Sequence, residues 1–545
     1  MTATSAPDVL CIGQPRLTSG LDRMPRVGAD AFGSVFGKLT RRGLPELIAM
    51  AQQVDLRGRG GAAFPVARKL AAVVRSASAR GKRPVVLVNA AEGEPGSAKD
   101  LMLLLRTPYL VLGGAVVVAN ALRASEVVVA VTDEVMASSV RAALRRAPEL
   151  RRLIQVVTVP RRFVTGEGGA LVNAVNGRAA LPPGRKVRAS DSGVGGQPTL
   201  LSNAETFAQL AVLAMLGAAG YASVGIPGEP GTLLLTVGGS SDRPAVVEVP
   251  SGLPLGYALD LCGSSACDGV LVGGYHGRWL PAETAYDVPV SRAGLEAAGG
   301  TLGAGVVLPL GPGTCPIGEV ARVAAYLAGE SSGQCGPCKL GLPGVARSLA
   351  AVASGSGGLE ALDAARRTAA AVRGRGACGH PDGVFRFVQS ALTVFTDDIA
   401  AHLFRGGCGR PVRGVLPVPA ANGDQRLALD WTRCQGHGLC AHVVPELIQL
   451  DEQGYPVLLA MPVPPWLERD ARRAVEMCPA LALRLASAAP VADERGQPAR
   501  GLPASGRGQL SLRAGGRQRD GDLMVTEEWI ADLTDASGRL RAIRD

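Results

Sequence analysis

The sequence predicts an α/β domain built on a parallel sheet, followed by a small β-rich module, a helical bundle and a compact α+β unit. Three observations carry this. From residue 85, apolar strand-like runs alternate with helical ones. From Gly231 to about Gly305, short β runs are separated by Gly/Pro/Asp turns. From Ile317 to Phe404, apolar residues return to helical spacing. A chain of 545 residues exceeds a single core, and about 150 residues per domain suggests roughly three or four domains.

The elements follow in order. VVLVN (Val85–Asn89) reads as a buried strand, Leu101 to Leu122 as an apolar helix, and VVVAV (Val127–Val131) as a second strand. Glu134 to Arg146 is helical, and IQVVTV (Ile154–Val159) is a third strand. Such alternation builds a parallel sheet with helices on its faces. Ligands of these sheets bind beyond the carboxyl ends of the strands, where Asn89 and its successors fall. LLLTVGG, AVVEVPSG and GVLVGG make the β-rich module. Val320, Val323, Ala324 and Leu327, then Val384, Val388, Ala391, Phe395, Ile399 and Leu403, form helical stripes. Residues 411 to 424 read as a linker spanning roughly 20 Å if flexible. A compact unit runs from Leu427 to Leu485. Ala486 to Gly521 has a disordered composition, and VTEEWIADLTD suits a short helix capped at Thr526. The domain boundaries expected are 1–225, 228–312, 315–410, a linker at 411–426, 427–486, and a tail at 487–545.

Apolar residues make up 47% and the formal net charge is +10. That charge suits solvated faces and a basic tail, or a docking surface for acidic or phosphate-bearing partners. No helix-turn-helix, finger or aromatic–basic platform is present, so no nucleic-acid role is expected. The start, MTATSAPDVLCIG, lacks the basic and apolar regions of a signal peptide. Tyr109 to Leu122 is shorter than the ~20 residues of a membrane span. A cytoplasmic chain without a membrane span is therefore expected. In that setting eleven cysteines point to metal or redox chemistry rather than disulfides.

Four blocks carry the chemistry at the amino-terminal end. LRGRGGAAFPVARKL (Leu56–Leu70) is a glycine-rich loop before a helix, suited to a phosphate or simply to a tight turn. VNAAEGEPGSAKD (Val88–Asp100), FVTGEGGALVNAVNGR (Phe163–Arg178) and LLSNAETF (Leu200–Phe207) follow. Further on, ESSGQCGPCK (Glu330–Lys339) holds Cys335 and Cys338 as a C-x2-C pair. Ser332 occupies the slot of a third evenly spaced cysteine, and Cys378 lies downstream. This reads as an iron–sulfur site with one ligand changed.

In this order and spacing, the four blocks resemble the FMN- and NADH-binding subunit of respiratory complex I and its relatives in soluble hydrogenases and formate dehydrogenases. The resemblance covers about residues 40 to 405. It implies that Gly58, Arg59, Gly60, Gly61 and Ala62 wrap FMN, with Lys69 near its phosphate and Phe64 stacking on the nicotinamide or adenine. It places Asn89 and Glu92 along the flavin and Glu94, the catalytic candidate, beside the isoalloxazine where NADH docks. Gly166 and Glu167 would hold the flavin edge, Ser202 and Asn203 its ribityl–phosphate end, and Arg185 or Lys186 would meet the dinucleotide. Four departures remove hydrogen-bonding groups of the family pattern: Ala91 for Asp, Phe163 for Tyr, Gly168 for Glu and Ser202 for Asn. Each lost partner typically costs about 0.5–1.5 kcal/mol.

The β-rich module resembles the ubiquitin-like, SLBB-type β-grasp domain of the same family, and the helical stretch its terminal bundle with a 4Fe-4S cluster. The corresponding ligands are Ser332, Cys335, Cys338 and Cys378. Three occupancies are compatible with them. One is a cluster completed by Ser332, water or another cysteine such as Cys408, or a three-iron form. The second is zinc on Cys335, Cys338, Cys378 and His380. In the third the cysteines are vestigial. CQGHGLC (Cys434–Cys440) followed by Cys478-Pro479 resembles a single-cluster bacterial ferredoxin with His437 in the middle ligand position. That pattern resembles three-iron ferredoxins that feed haem monooxygenases; a four-iron cluster using His437, or zinc, are alternatives. Cys11, Cys262, Cys267 and Cys315 read as small buried residues, and His276 and His402 carry no assignment. The function implied is NADH oxidation at FMN, with electrons leaving through iron–sulfur clusters and the fused ferredoxin-like unit to an external acceptor such as a haem monooxygenase. A diaphorase component of a larger complex and a non-catalytic scaffold are the alternatives.

Overall fold

A computed structural model describes residues 6–184, 187–264, 266–419, 425–445, 447–458, 463 and 467–487. Arg185, Lys186 and the tail with its expected Thr526 helix lie outside the described residues. The chain divides into two compact units, the first through Val418 and the second from Pro419.

In the first unit, four parallel strands lie side by side in the order Ile154–Thr158, Glu126–Val131, Val85–Ala90 and Thr199–Asn203. Val86, Val88 and Ala90 face one core; Val85 and Leu87 face another on the opposite side. Successive strand side chains alternate faces, and both faces are covered, as parallel sheets require. The apolar stretch from residue 101 is two helices, Lys99–Arg106 and Pro108–Leu122, bent by 93°. Pro108 has no N–H to continue the first helix and is favoured at the start of the second. Among the described residues no single helix is long and apolar enough to cross a membrane. Pro108–Leu122 instead packs on Ala204–Tyr221. Their backbones approach so closely at Gly114 that a Cβ there would lie 1.8 Å from Phe207 O.

The second sheet has six strands in the order Asp8–Cys11, Ala245–Pro250, Thr232–Val237, Val306–Leu310, Gly269–Val272 and Arg278–Pro281. Its first and last strands in the β-rich region, Thr232–Val237 and Val306–Leu310, are parallel neighbours at the centre. The amino-terminal strand pairs with Ala245–Pro250, so the chain's start belongs to this sheet and not to the first. Glu248 explains the attachment. Fully buried, its carboxylate accepts from Leu17 N–H at 2.9 Å, Thr18 N–H at 2.9 Å, and the hydroxyls of Thr18 and Thr232 at 2.6 Å. These donors stand in for the water that a buried carboxylate has lost. One face of the sheet (Val270, Val272, Val307) has its own core; the other (Leu271, Leu308, Leu310) packs into the helical core.

Helices Pro316–Gly329, Leu342–Ala353, Gly358–Val372, His380–Val394 and Thr396–Arg405 make the bundle, with the expected apolar stripes turned inward. The stretch expected to be a free linker differs. Residues 411–418 are strapped to the bundle: Glu319 accepts from Gly414 N–H (2.6 Å) and Val415 N–H (3.1 Å), and Leu416 is fully buried. The proline-rich composition that suggested a linker supplies an extended segment whose N–H groups find a buried acceptor instead of water.

The second unit pairs Gln425–Leu429 with Leu483–Ser487, and Ile448–Leu450 with Pro456–Leu458, both antiparallel. Helices Leu439–Val443 and Glu468–Glu476 complete it around Val444, Leu447, Ile448, Ala471 and Leu483.

Two substitutions test these supports by thermal and denaturant unfolding. Gly114→Ala forces the two buried helices apart and destabilises the protein by about 1–3 kcal/mol. Glu248→Gln replaces an acceptor-only carboxylate with an amide that confronts backbone N–H groups, and costs about 1.5–3 kcal/mol.

Candidate functional site

The carboxyl end of strand Val85–Ala90 runs straight into the Ala91–Asp100 segment. There it meets the glycine loop 58–64 and the turn at Phe163–Gly166. Between them lies a cavity of about 380 Å³, lined by Gly60, Gly61, Ala62, Asn89, Glu92, Glu94, Gly166, Glu167 and Asn203. That volume is in the range of roughly 300–1,000 Å³ usual for small-molecule sites. Four sequence blocks spread between Leu56 and Phe207 thus converge on one space.

Asn89 donates to Gly166 O at 3.1 Å and accepts from Ala91 N–H at 3.0 Å, fixing the turn after the strand. Asn203 is the N-cap of Ala204–Tyr221 and accepts from Glu205 N–H at 3.1 Å. Glu167 caps Gly168–Val175 through Ala170 N–H at 2.8 Å. Glu92 lines the cavity, yet its carboxylate is committed elsewhere. It accepts from Asp100 N–H (3.0 Å), Leu101 N–H (3.1 Å) and the Ser97 hydroxyl (2.5 Å), capping helix Lys99–Arg106. Side-chain acceptors suit helix starts because the first N–H groups lack partners.

Beneath the cavity sits a buried charge cluster that sequence reading missed. Lys99 reaches Asn203 Oδ1 (2.8 Å), Glu205 (2.9 Å) and Asp100 (3.3 Å). Burial alone would lower its pKa, but the two carboxylates overcome this and raise it, so the ammonium stays charged. Asn203 also donates to Asp100 at 2.6 Å.

Glu94 differs from Glu92. Its Oε2 accepts from Tyr275 N–H at 2.9 Å and rests against Gly274, whose φ is +77° and whose Cβ would approach within 2.6 Å. Its Oε1 is buried without a partner. Desolvation pushes this carboxyl up to about 7, and pushes Glu92, helped by Asp100, up to about 7 as well. An unpaired carboxylate oxygen in a glycine-walled slot fits a bound group that brings its own donor, as a flavin ring edge or a nicotinamide amide does. The glycines are needed there: a Cβ on Gly93 would meet Arg162 O at 2.6 Å.

Not every expected residue faces this cavity. Phe64 and Lys69 line a larger adjoining hollow of about 1,150 Å³, together with Arg178 and Arg188. Ala62 and Glu167 border both spaces. The Lys69 amine donates to Leu201 O at 3.1 Å, and burial lowers its pKa. Gly58 and Arg59 line a third, smaller hollow with Arg57 and Arg292. Ser202 is buried, its hydroxyl without a partner.

The cavity's far wall is Phe163, His276, Cys378 and His380. His380 Nε2 donates to Leu327 O at 2.8 Å, so its Nδ1 accepts from His276 Nε2 at 2.9 Å. Both nitrogens of His380 are therefore engaged, which excludes it from a zinc set with the three cysteines. Burial lowers His276 well below its usual value and His380 to about 4, so both rings are neutral at pH 7. Phe163 packs edge-on against His276 at 4.7 Å. His276, unassigned in sequence, comes from the second sheet; nothing local signals its place here.

Behind this wall, Cys335 and Cys338 lie 3.7 Å apart, and Ser332 Oγ is 3.8 Å from the Cys338 sulfur. Cys378 is close enough to be perturbed by both cysteines. The turn before Leu342–Ala353 and the start of His380–Val394 thus bring the expected ligands to one spot. Cys408, a conceivable substitute ligand, lies instead beside Cys315 and His402. In the second unit, Cys434, His437, Cys440 and Cys478 surround a small hollow, and Cys478 accepts from Ala482 N–H at 3.3 Å.

The charge cluster yields a test. Lys99→Met leaves Asp100 and Glu205 buried and uncompensated. Unfolding measurements should show a loss of about 3–5 kcal/mol, larger than for removal of any surface ion pair.

Residues 51–212 match the family model of the Nuo51 FMN-binding domain, 319–402 that of the NADH-ubiquinone oxidoreductase-F iron-sulfur binding region, and 427–485 that of a 4Fe-4S single cluster domain. An NADH-quinone oxidoreductase subunit of Mycobacterium bovis is 29% identical over 412 residues, covering 69% of this chain and 88% of the relative. Its counterpart in Streptomyces coelicolor is 28% identical over 396 residues, covering 67% and 84%. A solved NAD+-reducing NiFe-hydrogenase in the H2-reduced state superposes with a TM-score of 0.66 at 26% identity, covering 74% of this chain and 68% of that one. The convergent cavity, the cysteine site behind it and these three matched regions agree: the chain is similar to the FMN- and NADH-binding subunits of complex I and to the NAD+-reducing hydrogenase, and carries a further region that matches a single-cluster iron–sulfur domain.

Proposed function

We propose that this chain oxidises or reduces the nicotinamide of NAD(H) at a bound FMN and exchanges electrons with iron–sulfur clusters as a redox component of a larger assembly. The observation that carries this is Cys378, which opens onto the same cavity as the glycine loop and Glu94. A cluster ligand and the flavin slot then share a wall. FMN, when bound, takes up a hydride as an electron pair and releases electrons singly.

The chain's own residues position and screen. The bare backbone of Gly60, Gly61 and Ala62 admits a flat ring, Asn89 and Gly166 fix its edge, and Asn203 presents the end of the sheet. Glu94 holds the nicotinamide side, while Phe64 and Lys69 border the adjoining hollow where the rest of the dinucleotide extends. Arg185 and Lys186 remain proposed dinucleotide contacts. Neutral His276 and His380 keep the wall towards Cys378 uncharged. Ser332, Cys335, Cys338 and Cys378 hold the bundle cluster; Cys434, Cys440 and Cys478, with His437 beside them, hold the second. With three cysteines there, a three-iron centre is the form the donors favour. The central parallel pair of the second sheet supports the ubiquitin-like, SLBB-type reading of residues 228–312, and two antiparallel pairs with two helices support the ferredoxin-like reading of 427–486. The relatives are components of multi-protein redox enzymes, which favours partner redox subunits over the haem monooxygenase suggested by the histidine-containing motif.

Anaerobic stopped-flow on the reconstituted chain tests the proposal. NADH should bleach the flavin and then the cluster absorbance; flavin-loaded protein that NADH leaves unbleached would instead be a scaffold. Cys378→Ala should abolish the second phase and spare the first. Glu94→Gln should slow the first phase by about 10- to 100-fold and remove an apparent pKa near 7 from its pH profile. In flavin-free protein, Glu92 and Glu94 have folded pKa values raised from 4.5 to about 7. The folded state therefore binds more protons in that window, and unfolding free energy should fall as pH rises from 4.5 through 7. Ser332→Cys should raise iron and sulfide content, because its side chain already lies beside Cys338.

A further inference from the structure

Away from the electron path, Cys315 meets two residues from the far end of the bundle, His402 and Cys408, at the base of the bundle. The ligand atoms of Cys315, His402 and Cys408 all lie within 4.8 Å of one another. Cys315 precedes helix Pro316–Gly329, His402 is in the last turn of Thr396–Arg405, and Cys408 sits in the turn beyond, flanked by Gly407 and Gly409. Cys315 and His402 are buried. We propose that these three residues form a zinc site that staples the end of the bundle to its beginning.

The geometry supports ligation. Tetrahedral zinc with Zn–S near 2.3 Å and Zn–N near 2.0 Å places sulfur and nitrogen ligands roughly 3.5–3.8 Å apart. The Cys315 sulfur and His402 Nε2 are 3.2 Å apart, a few tenths of an ångström closer. Nothing else in the described protein holds the imidazole, since its Nδ1 is buried without a hydrogen-bond partner. The Cys315 sulfur receives an N–H donor of the kind that supports a thiolate ligand: Gly318 N–H points at it at 3.2 Å from a helix start. The Arg410 guanidinium lies close enough to Cys408 to be perturbed by it.

The surroundings are built around the three residues. Cys315 N–H donates to Pro411 O at 2.9 Å, and Arg413 N–H to the Thr314 hydroxyl at 3.1 Å. Arg410 also pairs with Asp268 and with Asp398. Gly409, at φ +74°, turns the chain after Cys408. Two thiolates and an imidazole select zinc over hard cations. Among the described residues no further Cys, His, Asp or Glu joins the group, so water fills the fourth position. Zinc has no redox chemistry of its own; the site holds the strap 411–418 at its root and stays outside electron transfer.

The full-length protein, purified anaerobically from zinc-supplemented culture, provides the test. Metal analysis should find zinc in a one-to-one ratio to chain. Zinc-edge X-ray absorption should show two sulfur ligands at about 2.3 Å with nitrogen or oxygen at about 2.0–2.1 Å. Cobalt exchanged into the wild-type protein should give thiolate charge-transfer and tetrahedral d–d bands, a readout that needs no variant to fold. Cys315→Ser and His402→Ala should each lose the metal, whereas Cys335→Ser and Cys434→Ser should keep it. Zinc-free wild-type protein, zinc retained in a Cys315→Ser/Cys408→Ser double variant, or a Cys315–Cys408 disulfide in mass spectra would overturn the proposal.

Discussion

The flavin-sized cavity rests on one buried ammonium. Lys99 draws together Asp100, Asn203 and Glu205, and through them the starts of two helices and the ends of two parallel strands. Burying three charges is expensive, and the exchange is favourable only when each charge is paired and hydrogen-bonded. Here Asp100 also accepts from Asn203, and Glu205 lies 4.0 Å from Arg59 of the glycine loop. The loop, the strand ends and the helix caps are therefore one electrostatic unit. Loss of the ammonium would release all of them together, which is why the cavity's shape depends on a residue at its floor.

The two acidic residues of the same short segment have opposite fates because of what surrounds them. Glu92 spends its oxygens on the N–H groups of a helix start and becomes part of the scaffold. Glu94 faces the cavity with one oxygen unpaired. Ala91, which lacks a carboxylate between them and Asn89, removes a further negative charge from a pocket whose acids already have raised pKa values. Keeping that pocket less anionic eases entry of a phosphate-bearing ligand. The neutral histidine pair on the far wall places no charge between the slot and Cys378.

Eight of the eleven cysteines sort by neighbourhood into three groups. Cys335, Cys338 and Cys378 gather at the wall of the cavity, Cys434, Cys440 and Cys478 within the second unit, and Cys315 with Cys408 at the base of the bundle. Only the first two groups contain short-range spacings. Cys315 and Cys408 are far apart in the chain, with the His402 imidazole beside them, and a long-range pairing of that kind leaves no local pattern.

Much of the architecture is local in origin. Buried strands of consecutive valines, helices with apolar stripes and the glycine loop all follow from side-chain periodicity and backbone freedom, so the parallel sheet, the bundle and most of the cavity lining were determined by the sequence itself. What the tertiary structure alone decided involves partners distant along the chain. The strand Asp8–Cys11 joins the second sheet because Glu248 needs donors from Leu17 and Thr18. Residues 411–418 dock because Glu319 offers them a buried acceptor. His276 and Lys99 reach the cavity, and Glu92 caps a helix start while lining the same cavity, for the same physical reason. A buried polar group must find its partner wherever the fold brings one within about 3 Å, and one-dimensional spacing cannot express that distance.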